Sequence, residues 1–198
     1  MNAKEKTKDL IIAKTKELIN KNADITIKEI TDACYINVAA VNYHFGSKDN
    51  LIALVLEEIV NDLKDEISKE IHKLDPDVIL KESLAIMLEI IYNFMLNNMG
   101  VIRYLFLNNN YQENSANILI DSFFTDNQFT STILNHIMKT FKIEDKRVAY
   151  ARYMLLFSSF AMPLFIEIAK NKDSNIISSI SLDDFRKTYI IEILKLIN

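Results

Sequence analysis

Three histidines and one cysteine are the side chains best suited to covalent or metal chemistry in this sequence, and none has the neighbours such chemistry needs. A helical di-iron bundle places Glu three residues before a ligand His. Ahead of His44, His72 and His136 those places hold Val41, Lys69 and Ile133. A thiol nucleophile would have to be Cys34, and a single cysteine also excludes an internal disulfide framework. Phosphate-binding loops need clustered glycines, and the 198 residues contain two. These absences argue against an enzyme, and no cofactor or metal is expected.

Recognition chemistry is better served. Asn37, Val38, Ala39, Ala40, Asn42, Tyr43 and His44 would form the exposed face of one short helix. Val41 and Phe45 would hold that helix from behind, and Ile36 would reach back from the preceding turn. Small side chains at its start would let the backbone approach base edges in a major groove. Guanine is usually read by Arg or Lys, and residues 37–44 contain neither. Val38, Ala39 and Ala40 suit thymine methyl groups, while Asn37 and Asn42 suit adenine, so an A·T-rich palindromic site is expected.

The charge distribution agrees. The formal net charge is −4, yet residues 1–52 hold eight Lys against seven acidic residues, and the remainder 15 Lys plus Arg against 20. Only the first part has a balance suited to phosphate.

The elements behind that face must be helices. Sheet proteins use Gly and Pro at hairpins, and two of each across the chain indicate an all-α architecture. A first amphipathic helix over residues 8–22 carries Ile11, Ile12, Leu18 and Ile19. A capping box, Thr26 with Glu29, opens the second helix. A third covers residues 37–44 and stops at Gly46, and Ser47 caps a long fourth. Val55, Ile59, Leu63, Ile67 and Ile71 step along the fourth in fours, a narrow buried stripe. Asp75-Pro76 starts a fifth helix, and Gly100 marks the next break. Residues 108–110 form a polar loop, and 115–142 carry one or two helices with an interruption at 125–127. Residues 144–171 and 181–198 complete the chain. The last helix opens on a second capping box, Ser181 with Asp184. The longest uncharged run, Tyr153–Ile166, spans 14 residues, too few to cross a membrane.

Three short helices ending in Tyr43-His44-Phe45-Gly46-Ser47-Lys48 outline a helix-turn-helix. The string Ala40-Val41-Asn42-Tyr43-His44-Phe45-Gly46-Ser47-Lys48-Asp49-Asn50-Leu51 resembles the signature of the TetR (tetracycline-repressor) family of bacterial transcription regulators. Ile25-Thr26-Ile27-Lys28-Glu29-Ile30 is similar to that family's second helix. The resemblance covers about residues 8–55 and is architectural beyond. It implies a three-helix helix-turn-helix DNA-binding domain over 1–46 and a helical effector-binding and dimerisation domain over 47–198, linked by the helix from 47. It also implies phosphate contacts from Tyr43 and Lys48, and from Thr26, whose capping role explains it equally well. Cys34 falls where the family has a small buried residue. Two departures stand out. Tyr35 occupies the turn position that is usually Gly, where a left-handed backbone costs about 1–2 kcal/mol, so a rearranged turn is expected. The loop at Asn22-Ala23 lacks the usual Gly.

In the second half, Met87, Ile91, Phe94, Met95, Tyr104, Phe123 and Phe124 are candidate lining for an apolar effector, although core packing explains any one of them. Arg103 and His136 are candidates to orient a polar group. Tyr153, Phe157, Phe160 and Leu164, with Ile190, Leu194 and Ile197, are expected to form a homodimer interface, because the last two helices are too apolar for a monomer's surface. The implied protein is a cytoplasmic regulator, usually a repressor released from its operator by a small molecule, without membrane contact. The alternative is a helical ligand-binding or adaptor protein without specific DNA binding.

Overall fold

The computed structural model describes residues 3–22, 24–73, 80–107, 112–169 and 179–197. Among them the chain is all-helical: α1 (Ala3–Lys21), α2 (Ile27–Cys34), α3 (Val38–Phe45), α4 (Lys48–Lys73), α5 (Leu80–Asn97), α6 (Met99–Leu107), α7 (Gln112–Phe123), α8 (Gln128–Phe141), α9 (Lys146–Ala169) and α10 (Asp183–Leu196). Asp75-Pro76 and the loop at 108–110 lie outside the described residues, as does the side chain of His72. The chain divides into two compact units, Met1–Asp62 with Asn98–Asp121, and Leu63–Asn97 with Ser122–Asn198.

In the first unit, α1 packs on α2 and α6, and α2 on α3. Ile11, Ile19, Ile30, Val41 and Leu51 are fully buried, and Cys34 nearly so. Lys16 on α1 pairs with Glu58 at 3.0 Å and Asp62 at 3.2 Å on α4. The α4 stripe behaves as its spacing predicts, with Val55, Ile59, Leu63 and Ile67 buried and Ile71 half-buried.

Gly100 departs from expectation. The break falls at Asn98, and Gly100 stands in the first turn of α6. Its role is close approach: a Cβ there would lie 2.3 Å from the carbonyl oxygens of both Ile19 and Asn20 on α1. The Gly100 N–H donates to Asn20 Oδ1 at 3.3 Å. A glycine read as a helix breaker is a packing glycine.

In the second unit, α5 packs against α8 and α10, and α8 against α9. Pro163 inside α9 has no N–H to give to the carbonyl four residues earlier, which is Ser159. Two tyrosine hydroxyls donate to that oxygen instead, Tyr92 of α5 at 3.2 Å and Tyr189 of α10 at 3.0 Å. The vacated acceptor joins three helices. Arg186 on α10 is buried, pairs with Glu89 at 2.8 Å and Asp183 at 2.7 Å, and donates to the Ile180 carbonyl at 2.9 Å.

The second capping box does not form. The N-cap of α10 is Leu182, with no side-chain cap. The Ser181 hydroxyl lies 2.5 Å from that of Ser179, which in turn bonds the buried Glu167 carboxylate, so Ser181 is engaged elsewhere.

α9, at 24 residues, is long and apolar enough to cross a bilayer by length and composition, although its uncharged run alone is too short. Pro163 and the buried Glu167 lie within it, and 28% of its most apolar window is buried in the chain.

The Gly100 contact is testable. Gly100→Ala should lower stability by about 1–3 kcal/mol, since backbone rather than a flexible side chain must yield. A urea unfolding midpoint unchanged from the parent would refute the contact.

Candidate nucleic-acid interface and ligand cavity

Side chains that satisfy helix ends build the helix-turn-helix. Thr26 and Glu29 form the expected capping box. Glu29 N–H donates to Thr26 Oγ1 at 3.2 Å, and Thr26 N–H donates to Glu29 Oε2 at 2.7 Å. The Thr26 hydroxyl also donates to Glu29 Oε2 at 2.8 Å. These bonds from Thr26 hold the Glu29 carboxyl below its ordinary pKa. A charged carboxylate on the Thr26 hydroxyl leaves that residue a cap and a poor phosphate donor.

The turn does not rearrange. Tyr35 itself takes the left-handed conformation, φ 55° and ψ 42°, as the C-cap of α2, and its N–H donates to the Asp32 carbonyl at 3.3 Å. Its ring is 97% exposed, so no packing offsets the strain. Asn37 then caps α3, accepting from Ala40 N–H at 2.9 Å. At the far end Gly46 has φ 79°, and Asn50 Nδ2 donates to the Phe45 carbonyl at 3.1 Å. Ser47 caps α4 as its position predicts, receiving Asn50 N–H at 3.1 Å.

On α3, Val41 is buried, while Asn37, Val38, Ala39, Asn42 and Tyr43 are exposed and Ala40 and His44 half-buried. Phe45 and Ile36 are half-buried as well. Asn42 is the exposed amide free of capping duty, since Asn37 spends its oxygen on Ala40. Lys48 is half-buried, and its ammonium donates to the Ile25 carbonyl at 3.1 Å. It ties the start of α4 to the approach to α2. A residue absent from the sequence expectations stands here instead. The Lys4 ammonium rests over the Tyr43 ring, 4.8 Å from its centroid. The signal available in the sequence is the lysine alternation Lys4, Lys6, Lys8 at the start of α1.

In the second unit an apolar cavity of about 20 Å³ is lined by Met87, Leu88, Ile91, Phe123, Phe129, Ile133, Tyr153, Leu156, Phe157 and Phe160. That is room for roughly one water. Met87, Ile91 and Phe123 were expected at a cavity, and they line this one. Phe94 and Met95 are half-buried on α5 outside the lining. Phe124 is 39% exposed and packs its ring on Tyr153 and Phe157. Arg103 is exposed and Tyr104 buried, both in the first unit. His136 is half-buried and bonded to the Ser83 hydroxyl. Burial, then Lys139, lowers its pKa. Among the described residues no three His, Cys, Asp or Glu side chains gather as a metal site requires.

The residues expected at a dimer interface are buried within the single chain. Tyr153, Phe160, Leu164, Ile190, Leu194 and Ile197 are each at most 9% exposed, and Phe157 is half-buried. Tyr153, Phe157 and Phe160 line the cavity. The apolar side chains that α9 leaves in solvent are others: Val148 and Tyr150 near its start, then Met154 at 50%, Leu155 at 55%, Met162 at 64% and Phe165 at 64%. On α10 they are Ile191 and Leu196.

By sequence, no family description and no curated protein matches this chain. By structure, it is similar to a provisionally assigned TetR-family transcriptional regulator from Mesorhizobium loti MAFF303099. The TM-score is 0.66 at 15% identity, over 99% of this chain and 98% of that one. The likeness establishes a shared fold.

Two outcomes follow from the strained turn and the buried imidazole. Tyr35→Asn should raise stability by about 0.5–1 kcal/mol, because Asn tolerates the left-handed region and no buried ring is lost. An unchanged or lower urea midpoint would contradict this. For His136, the folded chain resists a proton that the unfolded chain accepts near pH 6.5. Its contribution is therefore complete above that pH and is lost as pH falls through it. His136→Asn should show a shallower stability loss than the parent between pH 7.5 and 5.

Proposed function

We propose that the chain is a TetR-type, ligand-responsive transcription regulator that binds operator DNA as a homodimer and is released by an apolar small molecule. The observation that carries the reading is α3: a short helix capped at both ends, anchored by Val41, with Val38, Ala39, Asn42 and Tyr43 turned to solvent. Such a helix fits a major groove, with apolar contacts for thymine methyl groups and Asn42 for adenine. Residues 1–46 would serve DNA and residues 47–198 the effector and the dimer. Two recognition helices would stand about 34–36 Å apart to meet successive major grooves. A ligand acts only through different affinities for the competent and incompetent arrangements.

The exposed apolar stripe on α9, Met154, Met162 and Phe165 at helical spacing, supports a second copy as partner. The buried aromatics expected there serve the core instead. The alternative reading, a ligand-binding helical protein without specific DNA contact, draws on one observation. Residues 37–44 carry no Lys or Arg, and the Lys48 ammonium is engaged with Ile25.

A mobility shift on the DNA upstream of the chain's own gene separates the two. A shift that survives non-specific competitor supports a regulator, and none at low salt supports the alternative. Met162→Glu with Phe165→Glu should give a soluble, folded monomer by sedimentation, since both side chains are 64% exposed in one chain. A dimer that persists with both charges in place would remove α9 from the interface.

A further inference from the structure

We propose that Lys4 and Tyr43 together form one composite contact to a DNA backbone phosphate, in which α1 supplies the cation that the recognition helix lacks. The inference rests on the regulator reading above. It follows from where positive charge stands around α3. The helix has no Lys or Arg of its own. Lys48, the cation nearest its C-terminal end in sequence, donates to the Ile25 carbonyl at 3.1 Å and is half-buried. Thr26 lies under the Glu29 carboxylate. Tyr43 is 70% exposed, and its ring carries the Lys4 ammonium at 4.8 Å from the centroid.

The chemistry of that pair suits a phosphate. A cation over an aromatic face is held by the ring's quadrupole, and its charge still attracts an anion. The ring also limits the rotamers of both side chains, so less freedom is lost when the phosphate arrives. Tyr43 would give its hydroxyl and Lys4 its charge, to the same strand segment. Lys8 follows Lys4 by one helical turn on the same side of α1 and is also exposed, so the positive edge continues along the helix. Such contacts set position and affinity and read no sequence.

The test measures binding of a short labelled duplex of mixed sequence against salt concentration, using the full chain. Lys4→Ala should lower the magnitude of the slope of log K against log salt by about 0.9, the value for one phosphate contact. Lys4→Arg should keep it. Lys69→Ala, which removes the same charge from the second unit, should leave it unchanged. Lys4→Ala should cost less affinity in a Tyr43→Ala background than alone, because the ring that seats the ammonium is gone. A slope unaffected by Lys4→Ala while the parent binds duplex normally overturns this inference alone. A parent that binds no duplex at low salt overturns the regulator reading, and this one with it.

Discussion

A chain of helices must find partners for its terminal backbone groups, and in one with two glycines much of that task falls to side chains. That constraint organises both units. Thr26, Asn37, Ser47 and Asn127 each accept a backbone N–H at a helix start. Carbonyls are met from farther away: Lys48 reaches Ile25, Tyr153 reaches Phe123 at 2.6 Å, and Arg186 reaches Ile180. Within α9, where Pro163 removes a donor, Tyr92 and Tyr189 converge on Ser159. Where the group is buried, as at Phe123 and Ile180, leaving it unpaired would cost about 1–3 kcal/mol. The bonds of Tyr153, Tyr92 and Tyr189 also join two helices, so there the satisfaction of a carbonyl and tertiary packing are the same interaction.

The same constraint shapes the candidate DNA surface. Because Asn37 and Thr26 are occupied as caps and Lys48 as a tether, the residues left to face a ligand are fewer than the exposed face suggests. On the proposed function, Asn42 and the small apolar side chains would remain for bases. Tyr43 and the α1 lysines would remain for the backbone. In the proposed complex the positive charge for the backbone would come from α1 and base readout from α3, which is held from below by Val41 rather than by charge.

Local signals were legible in the sequence. The capping box at Thr26, the cap at Ser47, the interruption at 125–127 and the α4 stripe depend on residues within four positions of one another, and they form as their spacing requires. Long-range signals were not. Gly100 reads as a breaker because its partners, Ile19 and Asn20, are some eighty residues away in sequence. Ser181 reads as a cap because the competing Glu167 cluster is invisible locally. Apolar residues around α9 signal that the helix needs partners on several sides. They do not say which side its own chain covers, and so Tyr153, Phe160 and Leu164 were expected at an interface when they are core. Tyr35 shows the opposite limit. The strain was readable, but not that the turn would accept it unchanged.

The small size of the cavity bears on what kind of effector the proposed function can use. With room for about one water, any larger ligand must first separate packed aromatic and methionine side chains. Its apparent affinity is then reduced by the small population of the open form. The compensation available there is apolar burial, roughly 25 cal/mol for each Å² removed from water. Hydrogen bonding offers little, because the polar group among the lining side chains, the Tyr153 hydroxyl, already donates to the Phe123 carbonyl at 2.6 Å. A charged ligand would lose its hydration and find no partner in the lining. An effector of the proposed kind would therefore be selected by apolar area and shape. Because Tyr153 both lines the cavity and holds the end of α7, a ligand that displaced its ring would leave the Phe123 carbonyl with only the longer bond from the Thr130 hydroxyl, 3.4 Å. Opening the cavity would then also weaken the tie at the α7 terminus, the route by which the proposed apolar effector could alter backbone structure without any charged contact of its own.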